Sequence, residues 1–136
     1  MMSSGPALSR KVLLVVDDDP EIRCLLRRIL EPFGKVLEAA NGSDALRLIR
    51  AEAPELMLLD FSMPMMDGVE ATRSIHAERP SIQIFGLSGS EKTPGPHPIE
   101  LAGAVGYFQK DADMRRLIEH CLAMRASNAP SAARVQ

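Results

Sequence analysis

Short apolar runs alternate with amphipathic stretches along the chain, and this alternation constrains the fold more than any other feature. Five runs are short and rich in aliphatic residues, as in strands that are covered on both faces of a sheet. They span residues 12–16, 35–39, 56–59, 82–87 and 105–109. Because strand and helix alternate throughout, the sequence predicts an α/β fold, in which a parallel sheet carries helices on both faces.

The helices between these strands are predicted from apolar residues at helical spacing. The first should open at Pro20 and end at Gly34. Its inward face is predicted to carry Ile22, Leu25, Leu26, Ile29 and Phe33. Ser43 can cap the second helix. The fourth helix should be short and begin near Pro98, because the prolines of segment 93–98 cannot lie inside a helix.

Size and charge limit the class of protein. The 136 residues suit one domain, and 46% of them are apolar, which is enough for a core. The net charge of −2 argues against general nucleic-acid binding, which needs a basic surface. No apolar run approaches the ~20 residues that span a bilayer. We expect a cytoplasmic domain at 11–124, with no membrane association, between flexible ends at 1–10 and 125–136. Cys24 and Cys121 are expected to be reduced core thiols.

Polar residues follow four of the five predicted strands. They are Asp17, Asp18 and Asp19 after the first strand, Asp60 after the third, Ser88 after the fourth and Lys110 after the fifth. The carboxyl ends of parallel strands meet at one edge of the sheet, where ligands bind in folds of this class, so these side chains should converge. Any one of them could be an ordinary loop or surface residue, and Lys110 alone would more often be one. Their joint placement carries the prediction.

This set of residues suits phosphoryl chemistry. Carboxylates gathered in one place repel one another unless a cation is present, and an all-oxygen cluster suits a hard cation such as Mg²⁺. The carboxylate of Asp60 can act as a nucleophile and form an acyl phosphate. Mg²⁺ and Lys110 would then share the neutralisation of the phosphoryl charge, while Ser88 would hydrogen-bond the bound group.

The sequence resembles the receiver domain of two-component response regulators over residues 11–124. The matching segments occur in the expected order, and the second is the most specific: VLLVVDDDP, LMLLDFSMPMMDG, IFGLSGS and GYFQK. The resemblance implies a flavodoxin-like, doubly wound sheet of five parallel strands in the order 2-1-3-4-5. It also implies a stand-alone, chemotaxis-regulator-like switch rather than a conventional enzyme.

The same resemblance assigns the acceptor and the metal ligands. Asp60 matches the phosphoacceptor, which is also a metal ligand. Asp17 and Asp18 match the acidic pair that binds Mg²⁺, Asp18 directly and Asp17 through water. The backbone carbonyl of Ser62 matches the third protein ligand.

The remaining assignments concern the switch. Lys110 matches the lysine that pairs with the phosphate, and Ser88 matches the switch hydroxyl. Tyr107 matches the aromatic residue that turns inward when this hydroxyl is drawn to the phosphate. Asp111 replaces a proline that often follows the lysine in a cis bond, so we predict a trans bond here. The proline-rich segment 93–98 alters the usual output face.

The implied partners are proteins. A sensor histidine kinase or a histidine phosphotransfer protein would donate the phosphoryl group, and a downstream protein would read the switched face. We expect no DNA-binding domain after residue 124. Neither Ser62 nor Ser90 offers a carboxylate to orient attacking water, which predicts a phosphorylated state that is not especially short-lived.

Two alternatives stay open at this stage. In a phosphatase of the haloacid-dehalogenase type, Asp17 would be the nucleophile and Asp19 the second aspartate, although Glu21 stands where that family expects threonine or valine. The chain could also be a degenerate receiver that is never phosphorylated and acts as a constitutive docking module.

Overall fold

Five parallel strands form a single sheet in the strand order 2-1-3-4-5, as the resemblance implied. The computed structural model describes residues 11–63, 66–88 and 97–110, together with residues 114, 116, 118 and 119. The strands are β1 (Lys11–Val16), β2 (Gly34–Ala39), β3 (Leu56–Asp60), β4 (Gln83–Ser88) and β5 (Gly106–Gln109). Each begins and ends within about one residue of its predicted bounds, because the apolar runs are bounded by polar or turn residues.

Helices cover both faces of this sheet. They are α1 (Pro20–Leu30), α2 (Gly42–Glu52), α3 (Gly68–Glu78) and the four-residue α4 (Pro98–Leu101). The short α4 begins at Pro98, as predicted. The described residues after position 113 are helical, in agreement with the predicted last helix.

Alternate side chains of each central strand enter two separate cores, since successive strand residues point to opposite faces. Leu13 and Val15 of β1 pack with α1 and with Met114 and Ile118. Their neighbours along the strand face the core that α2, α3 and α4 cover. A sheet that is buried on both faces holds its strand ends rigidly, and this rigidity positions the site.

The predicted end and inward face of α1 were wrong in part. The α-helix stops at Leu30, and Glu31–Phe33 form a turn of 3-10 helix before Gly34 begins β2. Pro32 explains this, because it has no backbone N–H with which to continue the helical hydrogen bonds. Phe33 is therefore off the helical pattern, and 46% of it is exposed.

The buried face of α1 is centred on Leu26 and Leu30, which places Leu25 at its edge, 43% exposed. Cys24 points away from this face and is an exposed free thiol, so its predicted place in the core was wrong. Cys121 lies outside the described residues.

The cap of α2 is Asn41 rather than Ser43, since the Asn41 side chain accepts a hydrogen bond from the Asp44 N–H. Among the described residues, no helix has the length and apolar character needed to cross a membrane.

Candidate functional site

Three carboxylates converge beyond the ends of β1 and β3. Strand pairing places Val16 beside Leu59, so the residues that follow them lie side by side at the same edge. One carboxylate oxygen from each of Asp17, Asp18 and Asp60 lies within 4.8 Å of the other two. Asp17 and Asp60 are buried, while Asp18 is exposed. Such a cluster offers oxygen ligands on a rigid base with one open side.

Lys110 reaches the two buried carboxylates from the end of β5. Its Nζ atom lies 3.1 Å from Oδ2 of Asp17 and 3.2 Å from Oδ2 of Asp60. The Lys110 backbone N–H donates to the carbonyl oxygen of Ser88, which fixes the base of the side chain against β4. We call these four residues, Asp17, Asp18, Asp60 and Lys110, the carboxylate site.

Burial and neighbouring charges together shift the pKa values of Asp17 and Lys110. Burial raises the pKa of the Asp17 carboxyl, the backbone N–H of Asp19 opposes that rise, and the charge of Asp60 adds to it. Burial alone would lower the pKa of Lys110, but the hydrogen bond to Asp17 and the charges of both aspartates outweigh it, so this pKa is raised. The ammonium group therefore stays charged, whereas the carboxylates remain short of positive partners.

One buried oxygen of this region, Oγ of Ser88, makes no hydrogen bond within the described part of the chain. The buried Oδ2 of Asp17 has the Lys110 ammonium as its partner. Buried polar atoms are almost always satisfied, so an unpaired hydroxyl at a strand end indicates a ligand there. Among residues 11–63, 66–88 and 97–110, three carboxylates against one ammonium also leave negative charge uncompensated. The donor set fits a hard divalent cation, which would ligate carboxylate oxygens and leave further positions to water.

The loop after β3 holds the carboxylate of Asp60 in place. Its Oδ1 accepts a hydrogen bond from the Ser62 backbone N–H at 2.9 Å, and the Phe61 N–H donates to the Leu87 carbonyl on β4 at 2.7 Å. Oδ2 of Asp60 points to Lys110. The role of the Ser62 carbonyl as a metal ligand stays a prediction.

Arg23 was missed in the sequence, although it contacts the backbone of this site. Its Nη1 donates to the Asp17 carbonyl oxygen at 2.7 Å, while its Nε pairs with Glu38 at 3.1 Å. The helical spacing of α1 shows that Arg23 lies off the apolar face, but it gives no sign that the side chain turns back to the end of β1.

Tyr107, the predicted switch aromatic, is half-buried on β5. Asp111 and residues 89–96 lie outside the described residues, so the trans bond and the conformation of that segment stay predictions.

Comparison with known proteins shows the family of the chain. The family described as the response regulator receiver domain matches residues 13–122. The chain belongs to this family. The receiver is 38% identical over 109 residues to the response regulator UvrY of Escherichia coli K12, a match that covers 78% of this chain and 50% of that protein.

Solved structures extend the likeness to three dimensions. A LuxR-family two-component response regulator from Aurantimonas sp. SI85-9A1 superposes with a TM-score of 0.77 at 31% identity, over 88% of this chain and 87% of that one. A CheY-like receiver domain protein from Methanospirillum hungatei JF-1 gives a TM-score of 0.76 at 31% identity, over 85% and 93% of the two chains.

The receiver spans about half the length of the curated relatives it matches. Membership in the family identifies the chain as a receiver domain of two-component signalling and gives no support to the phosphatase alternative.

Proposed function

We propose that this receiver accepts a phosphoryl group on Asp60, with Mg²⁺ at the carboxylate site, and that the modification switches a protein-binding face. The observation that carries the proposal is the convergence of Asp17, Asp18 and Asp60 opposite the ammonium of Lys110. The donor would be a phosphohistidine on a sensor kinase or on a phosphotransfer protein. The cytoplasmic location expected from the sequence stays a prediction.

The transfer itself needs little from the protein beyond position and charge. A carboxylate oxygen of Asp60 attacks phosphorus, the P–N bond to the donor imidazole breaks, and that nitrogen takes up a proton as it leaves. The Ser62 N–H holds the other oxygen of Asp60, so the carboxylate keeps one orientation during the attack. Transition states of phosphoryl transfer spread charge over the peripheral oxygens, and Lys110 lies where it can meet that charge.

Asp18 and Asp60 would ligate the metal directly, with the Ser62 carbonyl as a third protein ligand, and Asp17 would act through water. When bound, Mg²⁺ supplies positive charge to the phosphoryl oxygens and to the acceptor. The exposed position of Asp18 supports a direct role, because its oxygens are open to an ion that keeps part of its water shell.

The switch would begin at Ser88. Its buried Oγ has no hydrogen-bond partner among the described residues, and it stands at the end of β4, next to the strand that ends in Asp60. A phosphoryl oxygen on Asp60 would accept a hydrogen bond from this hydroxyl. Tyr107 on the neighbouring strand β5 would follow into the space that Ser88 leaves. A downstream protein would then read the changed face.

Labelling with acetyl phosphate tests the proposal. With Mg²⁺ present, the wild-type protein should gain one phosphoryl mass, which peptide mapping should assign to Asp60. Asp60→Asn should gain none, and chelation of the metal should prevent the gain in the wild type. Asp19→Asn is the matched control, because Asn caps a helix as well as Asp does and this residue caps α1.

Each alternative has its own signature in this experiment. A phosphatase of the haloacid-dehalogenase type would be labelled on Asp17 and would be impaired by Asp19→Asn. A degenerate receiver would take no label at all, with or without Mg²⁺. Labelling of the wild type that persists in Asp60→Asn would refute the assignment of the acceptor.

A further inference from the structure

His97 is a buried histidine that none of the roles above uses. It is 2% exposed and is the N-cap of α4. Its Nδ1 accepts a hydrogen bond from the Ile99 N–H at 3.2 Å, while its own backbone N–H donates to the Glu100 carboxylate at 3.0 Å. This reciprocal pair is a capping box, in which the histidine stands where serine or threonine is usual. A serine would satisfy the backbone equally well, so the cap does not explain the ring.

The imidazole lies between two aromatic rings that belong to the two ends of the proposed switch. Its centroid is 4.6 Å from that of Phe61, edge to face, and 4.2 Å from that of Tyr107, tilted by 42°. Phe61 follows Asp60 directly, and Tyr107 is the predicted switch aromatic. Ring contacts at these distances are attractive and depend on orientation, so a shift of one ring changes the position that its neighbour prefers.

The surroundings leave these rings little freedom to move independently. A Cβ added at Gly68, the first residue of α3, would lie 2.8 Å from a ring carbon of Phe61, so Phe61 packs tightly against that helix. On the other side, a Cβ added at Gly86 of β4 would lie 2.8 Å from Cδ1 of Ile99 and 3.4 Å from Cβ of Tyr107. The start of α4 is therefore pressed onto the sheet beside Tyr107, and close-packed contacts of this kind transmit small displacements.

We propose that His97 is a positioning residue that couples Tyr107 and the start of α4 to the loop that carries Asp60. The ring transmits a change at Phe61 to Tyr107, and the Nδ1 hydrogen bond to Ile99 ties the same ring to the helix. The inference rests on the proposed function, since it assumes that phosphorylation of Asp60 moves its neighbours.

Substitution at position 97 separates the ring from the cap. Asn keeps a short side-chain acceptor for the Ile99 N–H, as in an ordinary N-cap, but removes the ring. Phe keeps an aromatic ring between Phe61 and Tyr107 but removes the acceptor. His76, an exposed histidine on α3, provides the matched control through His76→Asn.

Tyr107 is the only tyrosine of the chain, so incorporation of 3-fluorotyrosine labels this single ring. Its fluorine resonance should shift when Mg²⁺ and beryllofluoride, which mimics the phosphoryl group, are added to the wild type. In His97→Asn the shift should fall to roughly half or less of the wild-type value, because coupling along a contact chain is lost with its middle member. His97→Phe and His76→Asn should retain most of it. Acetyl phosphate should still label Asp60 in all of these variants.

Two results would overturn the coupling role while leaving the proposed function intact. In one, His97→Asn keeps the full shift. In the other, His97→Phe loses the shift as completely as His97→Asn does, so that an aromatic ring at this position is not what transmits the change. If the wild type neither takes up acetyl phosphate label nor shows a fluorine shift, the proposed function fails, and the inference that rests on it fails too.

Discussion

Two clusters of charged side chains contact Asp17, one at its backbone carbonyl and the other at its carboxylate, and they differ in how completely their charges are balanced. The carboxylate site sets three carboxylates against the one ammonium of Lys110. The second cluster, formed by Arg23, Arg27, Glu31 and Glu38 and here called the arginine–glutamate cluster, sets two guanidinium groups against two carboxylates.

Hydrogen bonding shows the same difference. Each carboxylate oxygen of Glu38 accepts a hydrogen bond from a different arginine, one from Nε of Arg23 and the other from Nε of Arg27. Arg27 also donates to the Val36 carbonyl at 3.0 Å. These bonds lower the pKa of Glu38, with the bond from Arg27 as the largest cause. At the carboxylate site burial raises the pKa of Asp17 instead, and the charge of Asp60 adds to that rise. A cluster that satisfies its own charges stabilises the fold, whereas one that does not is suited to bind a charged ligand.

The largest effect on stability is expected from Lys110→Met, which removes the only positive charge of the carboxylate site and keeps most of the aliphatic chain. Two buried carboxylates would then face each other without a cation, which costs about 3 kcal/mol of unfolding free energy in metal-free buffer. Mg²⁺ should restore part of this loss, because it supplies the missing charge. Urea denaturation with and without Mg²⁺ measures both effects.

Lys35→Met is the matched control, since Lys35 pairs with Glu52 on the surface and is half exposed. It should change the unfolding free energy by less than about 0.5 kcal/mol and should not respond to Mg²⁺. If Lys110→Met proves as mild as Lys35→Met, the carboxylate site is not under electrostatic strain and the comparison between the two clusters breaks down.

A smaller effect is expected from Glu38→Gln in the arginine–glutamate cluster. It should cost about 1–2 kcal/mol at neutral pH, because the carboxylate is partly exposed and the amide oxygen still accepts from one arginine, whereas the other arginine loses its acceptor on this side chain. The folded-state pKa of Glu38 lies below its ordinary value of 4.5, so its stabilisation is present above that pH. As the pH falls from 4.5 through the lower folded-state pKa, the stabilisation is lost, and the gap between the two proteins should close.

Urea denaturation at neutral pH and at a series of acid pH values tests this sign. Glu70→Gln serves as the control, because Glu70 pairs with Arg73 on the exposed side of α3 and should matter little at any pH. A gap for Glu38→Gln that stays constant down to low pH would mean that the carboxylate charge contributes nothing there.

The strands and their ends could be predicted from local patterns in the sequence, whereas the strand order came from the family resemblance. An apolar run that ends in a polar residue, as 56–59 does before Asp60, marks both the strand and the edge to which its last residue belongs. The same logic predicts that Asp17 and Lys110 lie at one edge, since parallel strands share their carboxyl ends. The roles assigned to these residues stay predictions until they are tested.

The features that the sequence did not disclose depend on contacts between distant residues or on how a helix ends. Phe33 fits the apolar spacing of α1, and only the proline rule, which applies to Pro32 as it does to segment 93–98, could have shown that the helix ends before it. The ring of His97 meets residues 61 and 107, which lie far away along the chain, and no spacing rule relates these positions. Arg23 is similar, because only the fold brings its guanidinium to the Asp17 carbonyl.

The most direct test of the central claim is a calorimetric titration of Mg²⁺ into the unmodified protein and three variants. The wild type should bind one ion, and Asp18→Asn and Asp60→Asn should each bind it about tenfold more weakly or worse, since each removes one carboxylate ligand. Glu38→Gln, which removes a carboxylate from the balanced cluster, should bind like the wild type. Equal Mg²⁺ affinity in all four proteins, or no binding by the wild type, would contradict the account.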